Sequence, residues 1–266
     1  MKKNKILYKY RSWKNDIQKA PLVKSQLYLS SPKDFNDPFD CRIPANFIEM
    51  NQDEKEEYAE IMIKNHANQM IENGYDLDVE YKNILNRLKD VSLNDQKDFE
   101  ERTYSGYDRH LGVLSLSERW DSILMWSHYA ECHKGYCIGF HKEKLTTSSF
   151  FGAGGPVIYP KNENFPKISP VQELKQESQF LATHHKALDW EYECEYRFTK
   201  LQYPKPFEIS ERKISVPNSY IAEVIIGFKT DPLVEEEITE LCKNKNIPVY
   251  KLENEPFKFK LVRKVI

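Results

Sequence analysis

No stretch of this chain is apolar for the roughly 20 residues that a membrane span requires. The basic start, Met1-Lys-Lys-Asn-Lys, is not followed by an apolar run, so it does not read as a secretory leader. Cysteine is sparse: five residues, an odd number at irregular spacing, which excludes a disulfide scaffold and points to reduced thiols and a cytoplasmic setting. Charge of one sign is not in excess. Thirty-nine Lys and Arg face 41 Asp and Glu, so no global field for nucleic acid or membrane is implied, although a local basic patch remains open. Glycine is scarce as well, nine in 266 residues, and three of the nine fall in Gly152-Ala-Gly-Gly155. That run lacks the spacing and the downstream lysine of a phosphate loop and reads as a flexible connection without a nucleotide role. No Gly-x-Ser-x-Gly elbow occurs, and Cys41, Cys194 and Cys242 have no histidine nearby in sequence to activate them. Internal repeats and low-complexity segments are absent.

What remains is a chain with 40% hydrophobic residues, 16 Tyr and 14 Phe, enough for a large core rich in strands. Apolar patterning places strands at 5–12, 26–31, 111–117, 136–140, 157–159, 220–228 (a buried strand), 247–252 and 257–262, the last by its period-two alternation. Residues 51–110 are charged, free of proline and helical in composition, with helices expected from Asp53 to near Gly74, over 78–90 and over 95–109. Further helices are expected at 13–23, at 123–130 capped by Asp121 or Ser122, at 170–188, and after Asp231-Pro232. The reading is α+β: one domain over 1–266, with a mixed, mainly antiparallel sheet and a helical insertion at 51–110.

The stretch Trp190-Glu-Tyr-Glu-Cys-Glu-Tyr-Arg-Phe198 stands out. As a strand it presents Glu191, Glu193, Glu195 and Arg197 on one face and Tyr192, Cys194, Tyr196 and Phe198 on the other. Like charges two residues apart repel unless water, an arginine or a ligand separates them, so the stretch is either a solvated acidic edge or a cleft with one working glutamate. Pro32-Lys-Asp-Phe-Asn-Asp-Pro-Phe-Asp40 is dense in turn formers. Phe35 and Phe39 are expected to anchor it in the core, leaving Asn36, Asp37 and Asp40 at a rim or in an Asx-type turn. Trp126, His128 and Tyr129 gather on one short helix as core or as the wall of a pocket for a flat ring. His128, Cys132, His133 and Cys137 lack a Cys-x-x-Cys clip, which favours a packed helix-to-strand corner over zinc.

Four stretches together resemble a bacterial family catalogued only as a domain of unknown function: Leu-Tyr-Lys-Tyr-Arg (7–11), Phe-Asn-Asp-Pro-Phe-Asp (35–40), Met-Trp-Ser-His-Tyr-Ala through Gly-Tyr-Cys-Ile-Gly-Phe (125–140) and Trp-x-Tyr-Glu-x-Glu-Tyr-Arg (190–197). More distantly, the chain is similar to ADP-ribosyltransferases of bacterial toxins and defence systems, with 7–11 and 27–31 as the first two strands and Glu195-Tyr-Arg-Phe as the glutamate strand. Lysine stands where the histidine of their first motif is expected, unless Arg11 takes that role. The resemblance implies an ADP-ribosyltransferase-like fold, NAD as substrate and glycosidic cleavage through an oxocarbenium-like state. It implies Glu195 as the catalytic carboxylate, Glu193 as its partner, and Arg11 as the remaining catalytic residue or a contact for pyrophosphate with Arg197. Lys9, Tyr10, Asn36, Asp37, Trp126, His128 and Tyr129 complete the nucleotide site. A macromolecular acceptor and a regulatory protein partner are expected, and a membrane is not. Two other readings stay open: a non-catalytic nucleotide-sensing or interaction module, and a nuclease in which Asp37, Asp40, Glu193 and Glu195 hold Mg²⁺.

Overall fold

The computed structural model describes residues 5–173 and 176–266. The basic run at 1–4, and positions 174 and 175 of the helix expected over 170–188, lie outside the described residues. The architecture is α+β, with a mixed, mostly antiparallel eight-stranded sheet. The chain falls into two compact units. The first comprises residues 1–34, 109–159 and 186–266, the second 35–108 and 160–185.

The ten strands among the described residues all belong to the first unit. They are β1 (Ile6–Arg11), β2 (Gln26–Tyr28), β3 (Leu111–Ser117), β4 (Tyr136–His141), β5 (Ala153–Pro156), β6 (Glu195–Leu201), β7 (Lys213–Ser215), β8 (Ile221–Ile226), β9 (Val249–Asn254) and β10 (Leu261–Val265). The large sheet runs β10-β9-β8-β4-β1-β3-β6-β5, and β2 pairs with β7 beside it. Among the described strands only β8 and β9 pair in parallel, as a crossover through the helix Pro232–Asn244 requires. That helix starts where Asp231 caps the Leu233 N–H and Pro232 takes the first turn. Its Ile238 and Cys242 pack with Trp13, Tyr136, Phe140, Val224 and Phe198 in the main core on one side of the sheet. Tyr8, Tyr10, Trp126, Cys137 and Ile225 form a second core. Helix α1 (Asp16–Val23) begins at the Asn15 cap, later than residue 13.

Three expected strand positions are corrected. The Gly-Ala-Gly-Gly run is not a loop but β5, and 157–159 is not a strand. Gly154 is required by packing: a Cβ there would lie 2.6 Å from the Phe198 ring. The last strand starts at Leu261, not Phe257. Glu255 N–H bonds the Lys260 carbonyl and closes a β9–β10 hairpin whose tip leaves Phe257 and Phe259 fully exposed. The third correction concerns 190–194 and is taken up with the site.

The second unit is helical. Helices α2 (Gln52–Glu72), α3 (Leu77–Lys89) and α4 (Leu93–His110) lie close to the expected positions because their caps are local. Asn51 and Glu54 form a capping box, Asp76 accepts from two first-turn N–H groups, and α2 ends before Gly74, which is left-handed. Met50, Leu88 and Val171 form one core cluster of this unit, and Ile43, Ala45, Ile168 and Ala182 the other. Arg42 pairs with Asp108 at 2.7 Å. Among the described residues, no helix is long and apolar enough to cross a membrane.

Candidate functional site

The charged residues singled out on β6 converge with Lys9 of β1 in the first unit. Ser115 and Ser117 of β3 lie directly opposite Arg197 and Glu195 of β6 in the antiparallel register. The four side chains therefore share a face, while Leu114, Leu116, Tyr196 and Phe198 turn to the main core. Arg197 is fully buried and binds Glu195 through two parallel bonds, Nε to Oε1 at 2.8 Å and an Nη to Oε2 at 2.9 Å. Such a fork is the strongest arrangement that this pair can take. Lys186 bridges the two carboxylates, with Nζ 2.7 Å from Glu193 Oε2 and 3.7 Å from Glu195 Oε2. Tyr129 donates to Glu193 Oε1 at 2.6 Å. Burial by itself would raise the Glu195 carboxyl, but the charges of Arg197 and Lys186 outweigh it and hold the group well below the usual carboxylate range.

The backbone brings Glu193 and Glu195 together by a route that alternation does not show. Residues Leu188–Glu193 form a short 3-10 helix, Cys194 is left-handed with φ of 43°, and the strand begins only at Glu195. Glu191 is consequently exposed and outside the cluster, whereas Glu193 and Glu195 are both buried. The kink is held by Ser117, whose hydroxyl donates to the Glu193 carbonyl at 2.6 Å, and by the Glu118 N–H bonded to the Cys194 carbonyl. The tyrosine hydroxyl of Tyr159 accepts the Glu195 N–H at 3.0 Å.

Lys9 and Arg11 supply two more cations. Strands β1 and β3 pair at one position, Tyr8 opposite Ser117. Farther along, the Lys9 ammonium donates to the Ser115 carbonyl at 2.6 Å. Burial, followed by repulsion from Arg11, pushes the Lys9 amine down to about 7, against the pull of Glu195 and Glu193. Burial also lowers Arg11, whose Nε is buried without a hydrogen-bond partner. Neither residue forms an ion pair among the described residues. Glu193 and Glu195 are thus matched by Lys186 and Arg197, and Lys9 is a further basic group within their field, whereas Arg11, opposite Tyr136 in the β1–β4 register, shares the face of the main core.

The remaining expected residues fall elsewhere. Tyr10 packs edge-on against Trp126 at 5.3 Å, and each ring spends its polar atom on a backbone carbonyl, of Arg119 and Trp120 respectively. Both are core side chains, and Trp126, fully buried, offers no face to a flat ligand. His128 is exposed, 6.0 Å from the Tyr192 ring. Asn36 and Asp37 belong to the second unit. Asp37 Oδ1 accepts from the Phe39 N–H at 2.9 Å, the Asx-type turn, and Phe39 is exposed against Phe165 rather than anchored in a core. Asp37 and Asp40 thus lie in a different unit from Glu193 and Glu195, and both of those glutamates are engaged by cations. Among the described residues no three His, Cys, Asp or Glu converge to hold a metal ion; His133 packs beside Trp126 and Phe228.

Lys186, Tyr159, Ser115 and Ser117 are the cluster members that sequence reasoning missed. The two serines carried a signal, since they are the polar positions in the alternation of Leu111-Gly-Val-Leu-Ser-Leu-Ser117. Lys186 and Tyr159 carried none, because each reaches the cluster from an irregular segment. No curated protein and no solved structure matches the chain. The stretches 7–11 and 35–40 lie outside the one matched segment, residues 125–198, which holds β4, β5, Lys186, Glu193, Glu195 and Arg197 and is similar to the family described as a protein of unknown function, DUF2971.

Proposed function

We propose that the charged cluster of β1, β3 and β6 binds an anionic nucleotide, NAD or a close relative, and that the chain cleaves or transfers at its nicotinamide–ribose bond. The observation that carries the binding half is Lys9, an extra basic group beside two carboxylates that are already neutralised, with Arg11 near enough to repel it. Half-buried cations without counter-ions are costly, and a pyrophosphate or carboxylate group would relieve that cost. The first unit as a whole supports this reading, with 28 Lys and Arg against 20 Asp and Glu.

The catalytic half rests on Glu193 and Glu195 and on the likeness to ADP-ribosyltransferases. In the reaction the C–N bond breaks, its electron pair leaves with neutral nicotinamide, and the sugar becomes oxocarbenium-like. Water or an acceptor nucleophile then adds and loses a proton. A carboxylate that stays ionised at neutral pH opposes the developing positive charge, and Glu195 is held in that state. Effector roles in toxicity or antiviral defence, a macromolecular acceptor and a regulatory partner belong to the same reading and rest on the likeness alone. A specific observation favours a second reading, non-catalytic nucleotide sensing: the two-point grip of Arg197 occupies Glu195.

The test pairs NAD binding with nicotinamide release. Binding that is lost in both Lys9→Gln and Arg11→Gln, with release abolished by Glu195→Gln in a variant that keeps its circular dichroism, is the expected result. Binding without release would leave the sensing reading. Absence of binding would remove both.

A further inference from the structure

The second unit carries 11 Lys and Arg against 21 Asp and Glu. Among the described lysines of this unit Lys167 alone forms an ion pair, with Glu49, and three of the unpaired ones converge on one spot. Lys55 on α2 and Lys82 and Lys89 on α3 line one open cleft of about 340 Å³ with Gln52, Leu85 and Asn86. No carboxylate is part of its wall. None of the three lysines forms an ion pair among the described residues, although Asp78 stands four residues before Lys82 on the same helix. Lys82, Asn86 and Lys89 are spaced four and three apart and so share one face of α3. The nearby polar contacts are internal. The Lys89 ammonium donates to Asn86 Oδ1 at 2.9 Å, and Gln52 donates to Glu56 at 2.6 Å.

We propose that this cleft binds a small, multiply charged phosphate compound. Three lysine ammonium groups are compact, freely rotating point charges that suit phosphate oxygens spread over two or three phosphoryl groups. The wall contains no aromatic side chain to stack a base, so recognition rests on the phosphates. Gln52 and Asn86 add amide donors at the rim. This site is independent of the cluster on β1 and β6, and neither reading needs the other.

The test is lysine acylation of the full chain read by peptide mass spectrometry, with inorganic tripolyphosphate and ATP as probes at about 150 mM salt, where exposed charges are screened beyond roughly 8 Å. Reactivity of Lys55, Lys82 and Lys89 should fall several-fold at saturation while Lys64 and Lys97, exposed lysines of the same unit, stay unchanged. Equal protection by the two probes identifies the phosphate chain as the recognised group, and stronger protection by ATP identifies a nucleotide. In calorimetry, Lys82→Gln/Lys89→Gln should weaken the bound tripolyphosphate about tenfold or more, which corresponds to loss of at least one charge-assisted contact. The proposal is overturned by protection of all five lysines alike, by no protection, by unchanged affinity in the double variant, or by protection that only an oligonucleotide gives.

Discussion

Glu195 and Arg197 stand two residues apart on one strand face, and each answers the other's burial. Glu195→Gln keeps the volume but leaves the Arg197 charge without its counter-ion, so stability should fall by about 3 kcal/mol or more, read by urea unfolding at neutral pH. Because the folded carboxyl titrates below its unfolded value, the pair's contribution is complete above about pH 4.5 and is lost as pH drops through the folded value. The difference between wild type and Glu195→Gln should therefore be flat above that pH and shrink in more acidic buffer. Lys9 is also shifted down, which for an amine favours the neutral form. Its free amine is held down to about 7, and an anion would favour the charged form. Nucleotide binding should take up a proton, with affinity highest below about pH 7 and declining as pH rises through it; calorimetry in buffers of different ionisation enthalpy measures the uptake.

Among the elements, β5 shows most plainly what glycine is for in this sheet. It lies at the edge next to β6, with Gly154 opposite Phe198. Gly154→Val drives side-chain atoms into the ring and should cost about 1–3 kcal/mol, with partial recovery in Gly154→Val/Phe198→Leu, measured by denaturant unfolding. Gly135, before β4, meets a harder obstacle. A Cβ there would lie 2.1 Å from the Arg11 carbonyl oxygen, and backbone yields less readily than a ring. Gly135→Ala should accordingly displace the end of β1 that presents Arg11 and weaken nucleotide binding together with stability.

At the scale of the molecule, the near-neutral total hides two bodies of opposite sign. The first unit has a surplus of eight positive charges and the second a surplus of ten negative ones. Nucleotide binding to the first should weaken several-fold between about 0.05 and 0.5 M salt, since screening shortens the range of the surrounding positive field. A buried contact to Lys9 and Arg11 should survive that increase, which separates the site from its surroundings in one titration.

Local chemistry placed the helices, because Asn51, Asp76 and Asp231 cap the turns that follow them whatever lies beyond. Hydrophobic patterning likewise placed β1, β3 and β8, by alternating faces in β1 and by a run of apolar residues in β8. It also marked Glu195 and Arg197 as facing one way and Tyr196 and Phe198 the other. The edge strand of glycines and the exposed Phe257 and Phe259 were misplaced, since pattern alone does not distinguish a strand from a turn whose closing hydrogen bond forms across the hairpin. Lys186 and Tyr159 could be brought to the glutamates only by the tertiary fold, and the Cys194 kink that buries Glu193 beside Glu195 depends on a serine from β3. Periodicity records which side of a strand a residue faces; the partners of a buried charge come from distant segments, and only chain topology brings them within reach.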